Sequence, residues 1–420
     1  MTNCTIRNNT AISDSGAIEN GGARVVATDT VFVDNTCDGD GGVIYSFAGA
    51  SSSFTNCRFE GNKATNDGGV FANFDDLSID ACYFSENASD DDGGVLYSNS
   101  AVVRITNSLF SMNSAGKSGD AFAASGGAIY SASGDNITVV DSLFALNTAR
   151  DLAGAMYTSG IGELENCRFD GNSAEFGGAI YSRRETMISG PSTHFQCNAA
   201  SFLGGAVNHF GGKLSVTDAD VIANSASGLG GGIYLGEDAN SDMIRCRFEQ
   251  NTVLGGITTP IPYQEFGGGA IAFAQLSAPG AISTHTIDNT VFQNNTSVTS
   301  PSDDIFDYDS VYNTTATNIG QCGAGYGNCF CDADPLLVPS ISTNVLPATC
   351  SGAGVGAACP KCNAPTEPVI CPITTRAVVP TSSGSNRANT MGMMEMMDKM
   401  EKEEKQGRRK DGGVEGGDED

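Results

Sequence analysis

Tryptophan is absent, histidine occurs only 3 times, and 22 Lys and Arg stand against 49 Asp and Glu. His194, His209 and His285 share no motif, which leaves little material for histidine-centred acid–base or zinc chemistry. A net charge of −27 repels any polyanion, and no basic cluster exceeds Arg408-Arg409-Lys410, so nucleic acid is excluded as a partner. No apolar run reaches the ~18 residues that a transmembrane helix needs. The opening residues, Met1-Thr2-Asn3-Cys4-Thr5-Ile6-Arg7, lack the basic flank and apolar stretch of a secretory signal.

Glycine and cysteine are abundant, at 53 and 14 residues. The chain is also repetitive. Phe59-Glu-Gly-Asn62, Phe84-Ser-Glu-Asn87, Phe110-Ser-Met-Asn113, Phe144-Ala-Leu-Asn147, Phe169-Asp-Gly-Asn172 and Phe248-Glu-Gln-Asn251 define an F-x-x-N motif. Phe32/Asn35, Phe195/Asn198 and Phe292/Asn295 match it, and Ile6/Asn9 and Val221/Asn224 are conservative variants, which makes 11 copies. Most copies lie 25 to 27 residues apart, with two longer steps, Phe110 to Phe144 and Phe248 to Phe292, that carry insertions. A second motif alternates with the first, as in Gly41-Gly-Val-Ile-Tyr45, Gly93-Gly-Val-Leu-Tyr97, Gly126-Gly-Ala-Ile-Tyr130 and Gly177-Gly-Ala-Ile-Tyr181.

Each repeat contains three short alternating segments: the Gly-Gly one, a Leu-x-Ile one such as Leu77-Ser-Ile79, and a Cys-x-Phe one such as Cys57-Arg-Phe59. Strands of three to five residues at this period are too tightly spaced for βαβ units. Wrapping each repeat as one coil places like residues in columns about 4.8 Å apart. The expected fold is therefore all-β, a right-handed parallel β-helix of about 11 coils over residues 1–320, its hand set by the bias of parallel crossovers. Phe32, Phe59, Phe84, Phe110, Phe144, Phe169 and Phe248 should stack in the core. Asn35, Asn62, Asn87, Asn113, Asn147, Asn172 and Asn251 should turn the chain and hydrogen-bond the backbone of neighbouring coils. The slot two residues before each Phe, filled by Cys4, Thr30, Cys57, Cys82, Ser108 and Ser142 among others, reads as packed small residues, with Cys57 and Cys82 near enough for a bridge.

The alternating GGA[ILV] and F-x-x-N motifs resemble the polymorphic outer membrane protein repeats of chlamydial surface proteins and related pectin lyase-like β-helices. The resemblance implies a secreted or surface-exposed, adhesin-like rod; repetition without a distinctive site points to no catalytic centre, and the long acidic stacked faces suit an extracellular glycan or protein as ligand. Seven N-x-S/T sequons suit that setting. Because Cys4-Thr-Ile6 already occupies the third segment of a coil, the chain is expected to be a fragment of a longer protein. The alternative function is a polysaccharide lyase or glycoside hydrolase on the same fold; no paired-acid motif with a supporting histidine supports it.

Residues 321–372 hold seven cysteines, Cys322 to Cys371, expected to staple a loop-rich cap, and residues 373–420 read as a linker and a Met-rich charged tail. One further column bears on ligands. Asp40, Asp67 and Asp92 immediately precede three successive Gly-Gly pairs, with Asp38, Asp90 and Asp91 close by, before the slot changes to Ser125, Leu152, Phe176 and Leu203. Stacked carboxylates of this kind make a candidate calcium site.

Overall fold

The computed structural model describes residues 1–116, 124–236, 238–255, 267–273 and 283–297, short strands at 305–307, 315–319 and 329–330, and the single residues Val369 and Cys371. Among the described residues there is no helix. Parallel strands form one 21-stranded sheet and two 11-stranded sheets, so the coils stack as a solenoid.

The coil of Phe84 shows the plan. Phe71–Asn73 lies in one 11-stranded sheet, Asp76–Asp80 and Tyr83–Ser85 lie end to end in the large sheet, and Ala88–Ser89 lies in the second 11-stranded sheet. The first three are the segments that the alternation predicts. The fourth went unpredicted because two residues are too few to alternate; its sequence trace is a small inward residue two after the Asn, such as Cys37, Ala64, Ser89 or Ala115.

Corners are made by single residues in the left-handed region. The residue before the Asn of every F-x-x-N segment has a φ between 52° and 65°. Where it is not glycine, as at Glu86, Met112 and Leu146, that conformation costs roughly 1–2 kcal/mol, which the asparagine beside it offsets. The Nδ2 of Asn113 donates to Phe84 O at 3.2 Å and to Asn147 Oδ1 at 2.9 Å, while its Oδ1 accepts the N–H and the Nδ2 of Asn87 at 3.1 and 3.0 Å. The same pattern recurs at Asn35, Asn62, Asn87, Asn147, Asn172 and Asn251, and Asn62, Asn87, Asn113, Asn147, Asn172 and Asn251 are 0% exposed.

Inside this frame the phenyl rings form a column. Phe32–Phe59, Phe59–Phe84, Phe84–Phe110, Phe110–Phe144 and Phe144–Phe169 stack at 4.7, 4.8, 4.6, 4.7 and 4.9 Å between centroids. Val221 interrupts the column, and Phe248 resumes it against Phe292 at 5.3 Å. The two longer repeats keep this register, Phe110 opposite Phe144 and Phe248 opposite Phe292. The Gly-Gly pair has two separate jobs: Gly93 turns at φ +66°, and a Cβ on Gly94 would run into the carbonyl oxygen of Gly127 in the next coil.

The Cys/Ser/Thr column two before Phe is a second hydrogen-bond ladder. The N–H of Cys82 donates to Ser108 Oγ, and that of Ser108 to Ser142 Oγ, both at 3.1 Å. Cys57 and Cys82 remain free thiols, and burial pushes Cys167 and Cys246 up to about 12. Cys371 is bonded to Cys197, in the solenoid, where the sequence suggested pairing within the C-terminal cysteines. Val369 N–H donates to Gln250 Oε1 at 2.8 Å, and Cys371 Sγ lies 3.6 Å from Ala223 O. This segment thus crosses three successive left-handed corners, Cys197, Ala223 and Gln250. Side chains of the other six C-terminal cysteines lie outside the described residues. Contacts divide the chain at Thr374/Thr375, and the tail, like most of 321–372, is outside the described residues.

Candidate functional site

The aspartates before the Gly-Gly pairs do line one corner. Asp14 begins the column, one coil earlier than the sequence suggests: its Oδ1 accepts the N–H of Asp40 at 2.9 Å. Asp40 accepts from Asp67 at 3.2 Å, Asp67 from Asp92 at 3.0 Å, and Asp92 from Ser125 at 2.7 Å. Each carboxylate therefore spends one oxygen on the backbone of the next coil. This is the corner's structural use for an acid.

Partial burial first, then the backbone bond and the neighbouring acids, sets the charge state. Desolvation raises Asp67 and Asp92 to about 7, against one favourable backbone hydrogen bond each, and the like charges of Asp40 and Asp91 push Asp67 up further. Asp40 and Asp91 shift up for the same leading reason. The set whose ligand oxygens come together, within 4.8 Å, is Asp67, Asp91 and Asp92. It differs from the Asp40, Asp67 and Asp92 column by substituting an exposed neighbour for the first member.

Beyond Ser125 the same corner becomes apolar, with Leu152 pairing with Phe176, Phe176 with Leu203, and Leu203 with Leu229. The sheet face beside it carries the tyrosines of the Gly-Gly motif. Successive coils place Tyr97, Tyr130, Tyr157 and Tyr181 in one column on the outer side of the sheet, with ring centroids 5.2, 4.5 and 5.7 Å apart; Tyr97 and Tyr130 are half-buried, and Tyr157 and Tyr181 are buried. Leu152 and Phe176 pack against this column. Desolvation raises Tyr97 and Tyr130, and the charges of Asp67 and Asp92 add to the shift. Arg183 sits 5.8 Å over the Tyr181 ring, a cation–π contact at the end of the stack. The motif spells these tyrosines out in sequence, but an outward residue in a strand is uninformative until neighbouring coils are stacked.

The histidines do not join this strip. His209 and His285 are 0% and 3% exposed inside the solenoid. Their Nδ1 atoms pair with Ser182 and Ser241 hydroxyls at 2.7 and 3.0 Å, and desolvation lowers them to about 4 and about 3. His194 lies 3.5 Å from Asp220 in a different column.

Residues 1–144 match the model of the right handed beta helix region, and residues 166–183 match the Chlamydia polymorphic membrane protein repeat. The repeat match thus falls within the parallel solenoid whose first 144 residues match the right-handed β-helix. The matched residues run from the Asn166 corner through Phe169 and Asn172 to Gly177-Gly-Ala-Ile-Tyr181, so the repeat spans the Phe column, the Asn ladder and the tyrosine face. Proteins built on this repeat are surface proteins of Chlamydia-like organisms and typically lack enzymatic activity. No curated protein and no solved structure matches the chain.

Proposed function

We propose that the rod is a non-enzymatic, surface-exposed or secreted binding module that acts in adhesion, taking an extracellular glycan or protein along the tyrosine and aspartate strip. The strip itself carries this reading. The ring faces are taken up by one another, so the half-buried Tyr97 and Tyr130 offer a sugar or a side chain their apolar edges and hydroxyls, and the adjoining carboxylates accept hydrogen bonds from hydroxyl or amino groups. The Cys197–Cys371 disulfide supports an oxidising location, where such bonds persist.

Binding of the purified chain to a panel of extracellular glycans and matrix proteins tests the reading. A Tyr97→Ala/Tyr130→Ala variant should lose at least about tenfold in affinity, about 1.4 kcal/mol, while its melting curve still shows a folded rod. Undiminished binding would place the site elsewhere. New reducing ends or unsaturated products from acidic polysaccharides would replace adhesion with catalysis.

A further inference from the structure

On the inner side of the tyrosine-bearing sheet, one column is polar through eight successive coils, from Asn20 through Ser98, Ser131 and Thr158 to His209. All of it is buried, no member being more than 2% exposed. Toward its two ends the column finds partners within the protein, His209 Nε2 excepted. Asn20 Nδ2 donates to Ser52 Oγ at 3.4 Å, Ser46 shares a proton with Ser52 at 3.3 Å, and Ser182 meets His209 Nδ1 at 2.7 Å.

The middle is different. Among the described residues, Ser98 Oγ, Ser131 Oγ and Thr158 Oγ1 have no hydrogen-bond partner. Beside them is Asp135, on the corner that follows Ser131 and only 2% exposed. Its Oδ1 accepts the Ala101 N–H at 2.8 Å, and its Oδ2 has no partner. The next strand of each coil accounts for the lack. Where Ser52 serves the upper end of the column, its register mates are Leu77, Val103 and Ile137, and then Gly162. None of these side chains can donate or accept.

Four buried oxygens thus cluster within three coils, facing a wall that offers them nothing. Native proteins meet such demands with ordered water that makes two to four bonds. We propose that Asp135, Ser98, Ser131 and Thr158 enclose an internal hydration site, in which ordered water donates to Asp135 Oδ2 and bridges it to the three hydroxyls. The neighbouring Ser131 and Ser98 hydroxyls hold the Asp135 carboxyl down against the upward push of burial. A site of this kind makes the solenoid core wet at its centre and dry where the phenylalanines stack.

The sign of one substitution separates a hydrated site from bare oxygens. Thr158→Val keeps the shape of the side chain and exchanges the hydroxyl for a methyl. If that hydroxyl is bonded to water, the variant loses a bond and its Tm falls. If it is bare, removing it relieves a buried polar atom and adds strand propensity, and a higher Tm overturns the proposal. Ser131→Ala, read the same way, supplies a second variant. Melting in sodium chloride and in tetramethylammonium chloride at equal ionic strength should coincide; a Tm raised by sodium alone would overturn water in favour of a bound cation. A crystal structure at about 1.5 Å should show ordered solvent between Asp135 and the hydroxyls, and an empty site there would also refute it.

Discussion

Replacing Asn113 by Ala is expected to cost about 3 to 6 kcal/mol, because several buried groups lose their partners together and each orphan costs about 1–3 kcal/mol. The side chain holds four hydrogen bonds. Its removal strands the N–H and Nδ2 of Asn87 and the carbonyl of Phe84, all within a column that is 0% exposed. Asn113→Asp should be no milder, since it keeps the acceptor but replaces the donor and buries a charge. Denaturant melts of both variants measure this; a loss below about 0.5 kcal/mol for Asn113→Ala would match an ordinary surface change and would show that the ladder does not hold the coils together.

The second large effect is on pH dependence. Asp67 and Asp92 have folded pKa values of about 7 against an ordinary value of 3.8. Between those values the native chain holds protons that the unfolded chain has released. Stability from this pair is therefore complete below the unfolded pKa and drains away as pH rises through about 7. The two carboxyls are partly solvated and coupled, so the loss between pH 4 and pH 8 is about 2 to 5 kcal/mol in total and not the sum of two isolated shifts. Asp67→Asn/Asp92→Asn keeps the oxygen that accepts the next coil's N–H and abolishes the titration. Wild type should lose stability relative to this variant as pH is raised. The general repulsion of a chain with net charge −27 affects both proteins nearly alike and cancels in the comparison. Parallel stability curves from pH 4 to 8 would contradict the assignment.

The coil plan was legible because Phe and Asn recur at nearly fixed separations, and coils stacked at that period bring identical residues into one column. What the alternation could not show was anything that depends on two coils at once. Asp14 was missed because Ser15-Gly16 follows it where Asp40, Asp67 and Asp92 are followed by Gly-Gly. Tyr97 and Tyr130 stand in plain view in the motif, but only stacking turns outward tyrosines into a continuous face. The burial of His209 and His285 was not legible because a lone polar residue inside a solenoid leaves no periodic mark; each is accommodated by a serine one coil away. The Cys197–Cys371 bond spans 174 residues, and cysteine spacing alone cannot fix a pairing.

The stacking of coils in register, which every column above depends on, is open to a direct chemical test. Ser53 and Ser78 are opposite each other on adjacent coils, one half-exposed and the other exposed. Oxidation of a Ser53→Cys/Ser78→Cys variant should give a disulfide between these positions, identified by mass spectrometry of the digested protein. Ser53→Cys/Asp80→Cys, whose partners stand two residues out of register, should give none, since Cα atoms more than about 7 Å apart cannot be bridged without backbone movement. Efficient bridging of the first pair alone is the result that the stacked solenoid predicts; equal bridging of both, or bridging of the second alone, would contradict it.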